Sequence, residues 1–383
     1  MIYLNNAATS LRKPEGVAAA MLQALNYGSV ARGASVCSLS MARQITMLRT
    51  ALSELFGFSH PERVIFTKNV TEALNMVLFG LLQAGDHVIA TDLDHNAVLR
   101  PLYLLEKQGV AVDFAAADRQ GNISYEALEG LFRPNTRALI CTHASNLTGN
   151  VLDIREMSAI AHRHGALLIV DAAQTAGERP IHMEREGIDV LCFTGHKALM
   201  GPQGTGGLLL SPSVSLRPLI SGGTGILSFE KEQPTAYPEH LEAGTLNGPG
   251  LCGLLAAVRF LQETGVASVQ EKLRELTEAF YTGVQEIPGI TVYGDFRGFP
   301  APAEHAPIVS LNLAGISSSE LASFLSAQYD IEVRAGGHCA PRMHEALGTR
   351  DTGAVRFSFG YFTEMQEVQM ALQALREISE AVC

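Results

Sequence analysis

The chain has 383 residues, 47% of them apolar and 17% charged, a length and composition suited to two domains around a large buried interior and not to a disordered scaffold. A formal net charge of -11, from 28 Lys and Arg against 39 Asp and Glu, offers no general attraction for phosphate backbones or anionic membranes and argues against nucleic acid as a direct partner. The opening MIYLNNAATS lacks the basic segment and apolar core of a secretory signal, and no apolar stretch approaches the roughly 20 residues that span a bilayer, so no membrane and a cytoplasmic location are expected.

Residues 1–14 read as an arm that packs near a domain or dimer interface. From about residue 60 to 210, short apolar runs alternate with helix-like segments. Arg63–Thr67, His87–Thr91, Arg137–Thr142, Leu167–Val170, Ile188–Phe193 and Gly207–Leu210 are rich in Val, Ile and Leu and lack alternation, the pattern of strands buried on both faces of a mostly parallel sheet. Ala73–Leu82, Leu99–Gln108, Tyr125–Phe132 and Ile154–His164 supply helices to cover it, giving an α/β architecture. Ser211–Gly248, rich in Gly, Pro and Thr, predicts an irregular excursion near the site or a dimer interface. Beyond it come helical runs Leu251–Glu263 and Val266–Glu286, strands Ile308–Leu313, Ile331–Ala335 and Val355–Phe359, and a closing amphipathic helix Glu364–Val382. The division expected is a large α/β domain at 15–250 and a smaller C-terminal α+β domain at 251–383.

In open parallel sheets, ligands bind outside the carboxyl ends of the strands. Thr71, His95, Asn146, Asp171 and Lys197 each follow one of the predicted strands, so five segments bring polar residues to one edge. The run FTGHKALMGPQGTGG places Lys197 directly after a buried strand. There is no G-x-x-x-x-G-K-[ST], and GTGG leads into a strand instead of a helix, which removes a nucleotide P-loop and a dinucleotide fingerprint. Lys197 is then either a surface lysine at a strand end or an amine that forms an imine with an aldehyde cofactor. Such a cofactor needs a carboxylate to keep its pyridine nitrogen protonated, and Asp171 fits that role or simply caps the following helix. Gln174 is placed to reach a phenolic oxygen or to satisfy backbone. Thr71 reads as an N-cap, a position that also offers free N–H groups to a phosphate. Thr194 and His196 flank the lysine as further phosphate donors, and His95 is either structural or laid flat on the pyridine ring.

Arg356 alternates with Val355 and Phe357 on a strand, so it is either a surface arginine or a bidentate clamp for a substrate carboxylate. The six cysteines, at 37, 141, 192, 252, 339 and 383, contain no C-x-x-C pair and indicate neither a disulfide framework nor a zinc ribbon. Cys339 differs from the others. It stands in RAGGHCAP between Gly337 and Pro341, beside His338 and near Arg334, where nearby imidazole and guanidinium groups would favour a reactive thiolate, the alternative being a buried inert cysteine. A metal site with His344 lacks further ligands.

Taken together, YLNNAATS, TKNVTEALNMV, DHNAVLRP, THASNLTGN, DAAQ, FTGHK, EAGTLNGP and RAGGHCAP resemble, in order and nearly end to end, the class V aminotransferase group of fold type I pyridoxal 5'-phosphate (PLP) enzymes. Within it they resemble the cysteine desulfurase and selenocysteine lyase branch. The resemblance implies a mostly parallel seven-stranded sheet and PLP held as a Schiff base by Lys197. Asp171 would serve as pyridinium partner, His95 as stacking ring, Gln174 as phenolate contact, and Thr71, Thr194 and His196 as phosphate ligands. Thr245 would reach the phosphate from the other subunit of a homodimer. Asn146 and Arg356 would bind the substrate carboxylate, with Arg32 and Arg334 lining the site. Cys339 would take sulfur from L-cysteine as a persulfide, release alanine, and pass the sulfur to a protein acceptor such as an iron–sulfur scaffold. The short loop before Cys339 is similar to the second desulfurase type. Two positions depart from the pattern: Gly337 stands where GHHC has a histidine, and Ala31 where a histidine often precedes the arginine. The rivals are selenocysteine or cysteine sulfinate cleavage, a carbon–sulfur lyase or an epimerase on the same scaffold, and, in another class, a non-catalytic protein that binds a sulfur carrier.

Overall fold

A computed structural model of the chain describes residues 1–28, 36–298 and 305–382, apart from the side chains of Cys37 and Ser38. Arg32 and Ala31 therefore lie outside the described residues. In chain order the elements are β1 (Ile2–Tyr3), α1 (Gly16–Ala24), α2 (Val36–Leu55), β2 (Val64–Thr67), α3 (Val70–Leu81), β3 (His87–Thr91), α4 (Asn96–Glu106), β4 (Ala111–Ala115), α5 (Tyr125–Glu129), β5 (Thr136–Thr142), α6 (Ile154–Arg163), β6 (Leu167–Asp171), β7 (Val190–Thr194) and β8 (Gly206–Leu210). After an irregular stretch follow α7 (Gly248–Thr264), α8 (Val266–Gln285), β9 (Ile290–Tyr293), β10 (Ile308–Leu313), α9 (Ser318–Tyr329), β11 (Ile331–Glu332), β12 (Arg334–Gly336), α10 (Pro341–Leu347), β13 (Ala354–Ser358) and α11 (Met365–Val382).

The apolar runs form one seven-stranded sheet in the order β2-β8-β7-β6-β5-β3-β4. Only β8 runs antiparallel to its neighbours, so the other six strands share one direction. Alternate residues of each strand feed opposite faces, as the two-residue pleat requires. Ile89, Leu139, Leu168, Val170, Leu191 and Phe193 join the core formed with α2, α6 and α7. Val88, Ala138, Ile140, Ile169, Val190 and Cys192 join the core formed with α3 and α4. Two covered faces explain why these strands read as unbroken apolar runs.

The edge strand β4 was not anticipated. Its sequence AVDFA is only half-buried apart from Ala115 and carries Asp113 at its centre, which pairs with Arg133 and lies 3.2 Å from His87 Nε2. Parallel pairing with β3, not local composition, makes it a strand. Helices α1 and α2 also went unread, although Met41, Ile45, Leu48 and Leu52 of α2 are buried at helical spacing.

The smaller sheet has the order β12-β13-β10-β9 and is antiparallel throughout. A single strand at 331–335 was expected, but the chain changes partner at Val333. Ile331 and Glu332 pair with β1, whereas Arg334 to Gly336 pair with β13. The N-terminal segment thereby joins this end of the molecule: Asn5 bridges Ser358, and the Ala7 N–H donates to Ser358 Oγ at 2.9 Å. Ser211 to Asn247 contains no helix or strand. Among the described residues no helix is long and apolar enough to cross a membrane.

Glycine is required where β8 passes β2 and β7. A Cβ added at Gly207 would lie 2.3 Å from the Ile65 carbonyl oxygen and 2.9 Å from the Phe193 ring. Gly207→Ala should therefore lower the unfolding free energy by about 1–3 kcal/mol, the usual cost of overpacking. Urea unfolding checks this, and an unchanged midpoint would contradict the packing described.

Candidate active site

The carboxyl ends of β3, β5, β6 and β7 open on one edge of the large sheet, and β2 delivers Asn69 and Thr71 to the same edge. Asp171, the last residue of β6, is 3% exposed, and the Ala173 N–H donates to its Oδ1 at 2.9 Å. Burial raises its pKa, opposed by the Ala173 hydrogen bond and by Lys197. Burial likewise pushes the Lys197 amine down to about 8, opposed by Asp171 and reinforced by Arg356 and Arg334. The two groups thus share one low-dielectric site. Lys197 sits on a tight loop: Gly195 N–H donates to Thr205 O at 2.8 Å, Met200 N–H to Lys197 O at 2.8 Å, and Gly201 N–H to Gly195 O at 2.7 Å. A Cβ at Gly195 would fall 2.1 Å from Thr205 Oγ1, which explains the glycine before His196.

Around this pair, Gln174 is buried and its Nε2 donates to the Ala7 carbonyl at 3.3 Å. Thr194 is buried with a hydroxyl that has no partner among the described residues. His196 is partly buried, its Nδ1 3.0 Å from Thr9 Oγ1, and burial, then Lys197 and Lys13, lowers its pKa to about 4. His95 is the N-cap of α4. Its Nδ1 accepts from the Ala97 N–H at 3.0 Å, and burial, then Lys197, brings its pKa to about 4. The ring is neutral near pH 7, with its proton on Nε2. The N-cap of α3 is Asn69 and not Thr71: an extended backbone at φ -172° lets Asn69 Oδ1 accept from Glu72 N at 3.0 Å. Thr71 is exposed in the first helical turn.

Facing this edge is the small sheet. Arg356 is no surface arginine. It is 1% exposed, its Nη1 donates to the Asn146 carbonyl at 2.7 Å, and its Nε and Nη2 have no partner among the described residues. Arg334 stands directly opposite it across β12 and β13. Burial and then that second cation lower the Arg356 pKa to about 9. Like charges opposed on a sheet repel, so this face calls for an anion. Asn146 is buried; its Nδ2 donates to the His338 carbonyl at 2.8 Å and its Oδ1 is unpartnered.

Cys339 is partly accessible and has a left-handed backbone, φ +58°, as does His338 at +47°. Its carbonyl accepts from Asn96 N–H at 2.8 Å, and Arg334 Nη2 lies 4.0 Å from its sulfur. The guanidinium expected near the sulfur is there, whereas the His338 ring is turned away: it is buried and its Nε2 donates to the Ala354 carbonyl at 3.0 Å. Gly337 is exposed, and a Cβ built there meets no atom within 4 Å. His344 is buried against Thr349, with Nδ1 2.7 Å from its hydroxyl. Among the described residues no group of three or more His, Cys, Asp or Glu side chains is arranged to hold a metal ion. Burial raises the Cys141 and Cys192 thiols well above their usual range. Thr245 is exposed on the irregular segment.

Three contributors escaped the sequence reading. Asp94, fully buried beside His95, accepts from Thr91 N and Oγ1 at 2.7 and 2.9 Å, and burial raises it to about 7. Its place in DHNAVLRP was the available signal. Arg342 Nε donates to Asp92 Oδ1 at 2.6 Å while its guanidinium lies 3.9 Å from the Phe114 ring centroid, latching the helix after Cys339 to the large sheet. The backbone N–H of Asn96 carries no sequence signal at all.

The family model for class V aminotransferases matches residues 2–371. A cysteine desulfurase of Haloferax volcanii is 32% identical over 393 residues, covering 99% of this chain and 90% of that protein. The apo structure of a cysteine desulfurase from Thermococcus onnurineus superimposes with a TM-score of 0.92 at 30% identity, covering 99% of this chain and 95% of that one. An S-sulfonic acid form of a cysteine desulfurase from Escherichia coli gives 0.87 at 27% identity, covering 100% and 95%. With a family model that spans nearly all of it and a relative 32% identical over 99% of it, the chain belongs to the class V aminotransferase family.

Proposed function

We propose that the chain is a PLP-dependent cysteine desulfurase that takes sulfur from L-cysteine onto Cys339 and releases L-alanine. The observation that carries this reading is the Cys339 loop, whose carbonyl is held by the α4 N-terminus and whose sulfur lies beside Arg334. That brings a nucleophile to the edge where Lys197 and Asp171 share a buried site.

The residues fit the cofactor: a buried carboxylate, an amine with a lowered pKa and, at Thr194, a buried hydroxyl with no partner among the described residues stand at one edge. Lys197 would hold its aldehyde, Asp171 its ring nitrogen, His95 a ring face, Gln174 its phenolic oxygen, and Thr71, Thr194 and His196 its phosphate. When bound, PLP supplies an electron-accepting ring. Arg356, through its unpartnered Nε and Nη2, and Asn146 hold the substrate carboxylate. The Lys197 amine, once neutral, removes the substrate α-proton, and His95 keeps a proton on Nε2 at the same edge. Cys339 attacks the substrate sulfur as a thiolate. A sulfur–sulfur bond forms, the carbon–sulfur bond breaks with its electron pair moving to the β-carbon, and protonation of that carbon together with return of the α-proton from Lys197 gives alanine. The persulfide is then open to a protein acceptor.

Thr245 belongs in this proposal to the phosphate site of a second copy. Its exposure, and that of Leu219, Ile220, Ile226, Leu227 and Phe229 on the same irregular segment, support a homodimer.

Cys339→Ala should abolish alanine release from cysteine while leaving the lysine-bound PLP absorbance intact. Mass measurement of the wild-type Cys339 peptide after anaerobic incubation with cysteine should show one added sulfur atom; full turnover by the variant would refute the assignment. Arg356→Lys keeps the charge but loses the planar fork. It should raise KM for cysteine roughly tenfold to a hundredfold, the worth of a charge-assisted hydrogen bond of about 1.5–3 kcal/mol, and steady-state kinetics with an unchanged KM would oppose the carboxylate role.

Because only the neutral amine condenses with an aldehyde, a Lys197 pKa of about 8 places the reactive form within reach of neutral pH. Stopped-flow mixing of apoprotein with PLP should give a rate that climbs with pH and levels off above about 8. A rate that kept rising toward 10.5, the ordinary lysine value, would show that the site does not perturb the amine.

A further inference from the structure

The N-terminal segment makes an unusual concentration of contacts with the residue before the site lysine. The His196 carbonyl oxygen receives the Ser10 N–H at 2.9 Å, the Ser10 hydroxyl at 3.0 Å and the Lys13 ammonium at 3.2 Å. Lys13 also donates to Ser10 Oγ at 2.6 Å, so the single Ser10 hydroxyl proton is directed onward to that carbonyl. A carbonyl oxygen has two lone pairs, and three donors from Ser10 and Lys13 already crowd this one. The Thr9 hydroxyl is within donating distance of that oxygen at 3.2 Å and of His196 Nδ1 at 3.0 Å, and the ring nitrogen is the nearer and less crowded acceptor for its one proton. Thr9 is itself fixed, because the Tyr3 hydroxyl donates to its carbonyl at 2.9 Å.

A neutral ring whose Nδ1 accepts a hydrogen bond must carry its proton on Nε2. Were Thr9 to donate to the carbonyl instead, Nδ1 would hold the proton and Nε2 would be a bare acceptor, repelled by an anion. We infer that Thr9 is a positioning residue for the cofactor phosphate: by donating to His196 Nδ1 it confines the ring to the tautomer whose Nε2–H can donate to a phosphate oxygen. Ser10 and Lys13 support this by occupying the carbonyl that would otherwise compete for the Thr9 proton. The inference rests on the reading of His196 as a phosphate ligand.

The test uses the holoenzyme with labelled histidine ring nitrogens, the His196 signals being identified by comparison with His196→Ala. Wild type and Thr9→Ser should both show protonated Nε2 and unprotonated Nδ1, whereas Thr9→Val should move the proton population toward Nδ1. PLP release into a scavenger should be about two- to tenfold faster in Thr9→Val, the range of one neutral hydrogen bond, and restored in Thr9→Ser. Release of pyridoxal, which lacks the phosphate, should not differ between the three. A proton on Nδ1 in the wild type overturns the proposal without need of any variant, so a poorly folded Thr9→Val would not shield it. If His196→Ala leaves PLP release unchanged, the phosphate role of His196 fails. If His196→Ala speeds release but Thr9→Val keeps both the wild-type tautomer and the wild-type rate, the role of Thr9 alone fails.

Discussion

A carboxylate buried at the end of a central strand, with a single backbone donor, is the constraint on which this site depends. Asp171 has lost its water and gained only the Ala173 N–H, so its charge needs a cation nearby. Lys197 supplies it from the next strand, while its own burial works against the ammonium form. Each group makes the charged state of the other less costly. The glycines around Lys197 let its loop pack against Thr205 and Leu254 more closely than any side chain would allow.

Opposite lies the complementary problem. Arg334 and Arg356 face each other across two short strands, one of them fully buried with two donors unused. The cleft thus has an acidic floor bearing an amine and a cationic roof, a polarity that matches the two ends of an amino acid. Contacts that cross the cleft keep floor and roof in register: Asn146 to the His338 carbonyl, Asn146 carbonyl to Arg356, Asn96 to the Cys339 carbonyl, and Arg342 to Asp92. They join the domain that bears the lysine to the loop that bears Cys339, so the separation of Lys197 and Cys339 is set by hydrogen bonds and not by packing alone.

The parts legible in the sequence were those decided locally. Strands buried on both faces announce themselves as apolar runs, and Asp171, Lys197, Asn146 and His95 follow from their places after those runs. What stayed hidden depends on partners far along the chain. AVDFA is a strand because β3 lies beside it, and 331–335 divides because β1 claims its first half. Thr71 looked like the helix cap because it is a β-branched hydroxyl before an apolar stretch, yet Asn69 has the extended backbone and the carbonyl that capping requires. The proximity of His338 to Cys339 in sequence suggested an imidazole over the sulfur; consecutive residues in a tight turn point apart, and the ring is bound to Ala354 instead. The opposition of two arginines becomes visible only once β12 and β13 are in register.

The backbone at His338 and Cys339 has a consequence for how far the sulfur travels. Both residues are non-glycine yet left-handed, a conformation that costs about 1–2 kcal/mol each, and both carbonyls are held, one by the Asn146 side chain in the loop after β5 and one by the Asn96 N–H at the start of α4. Such a turn does not swing like a crane arm. The reach of the Cys339 sulfur is set by rotation about the cysteine's own side-chain bonds, so it stays within one side-chain length of the turn that carries it.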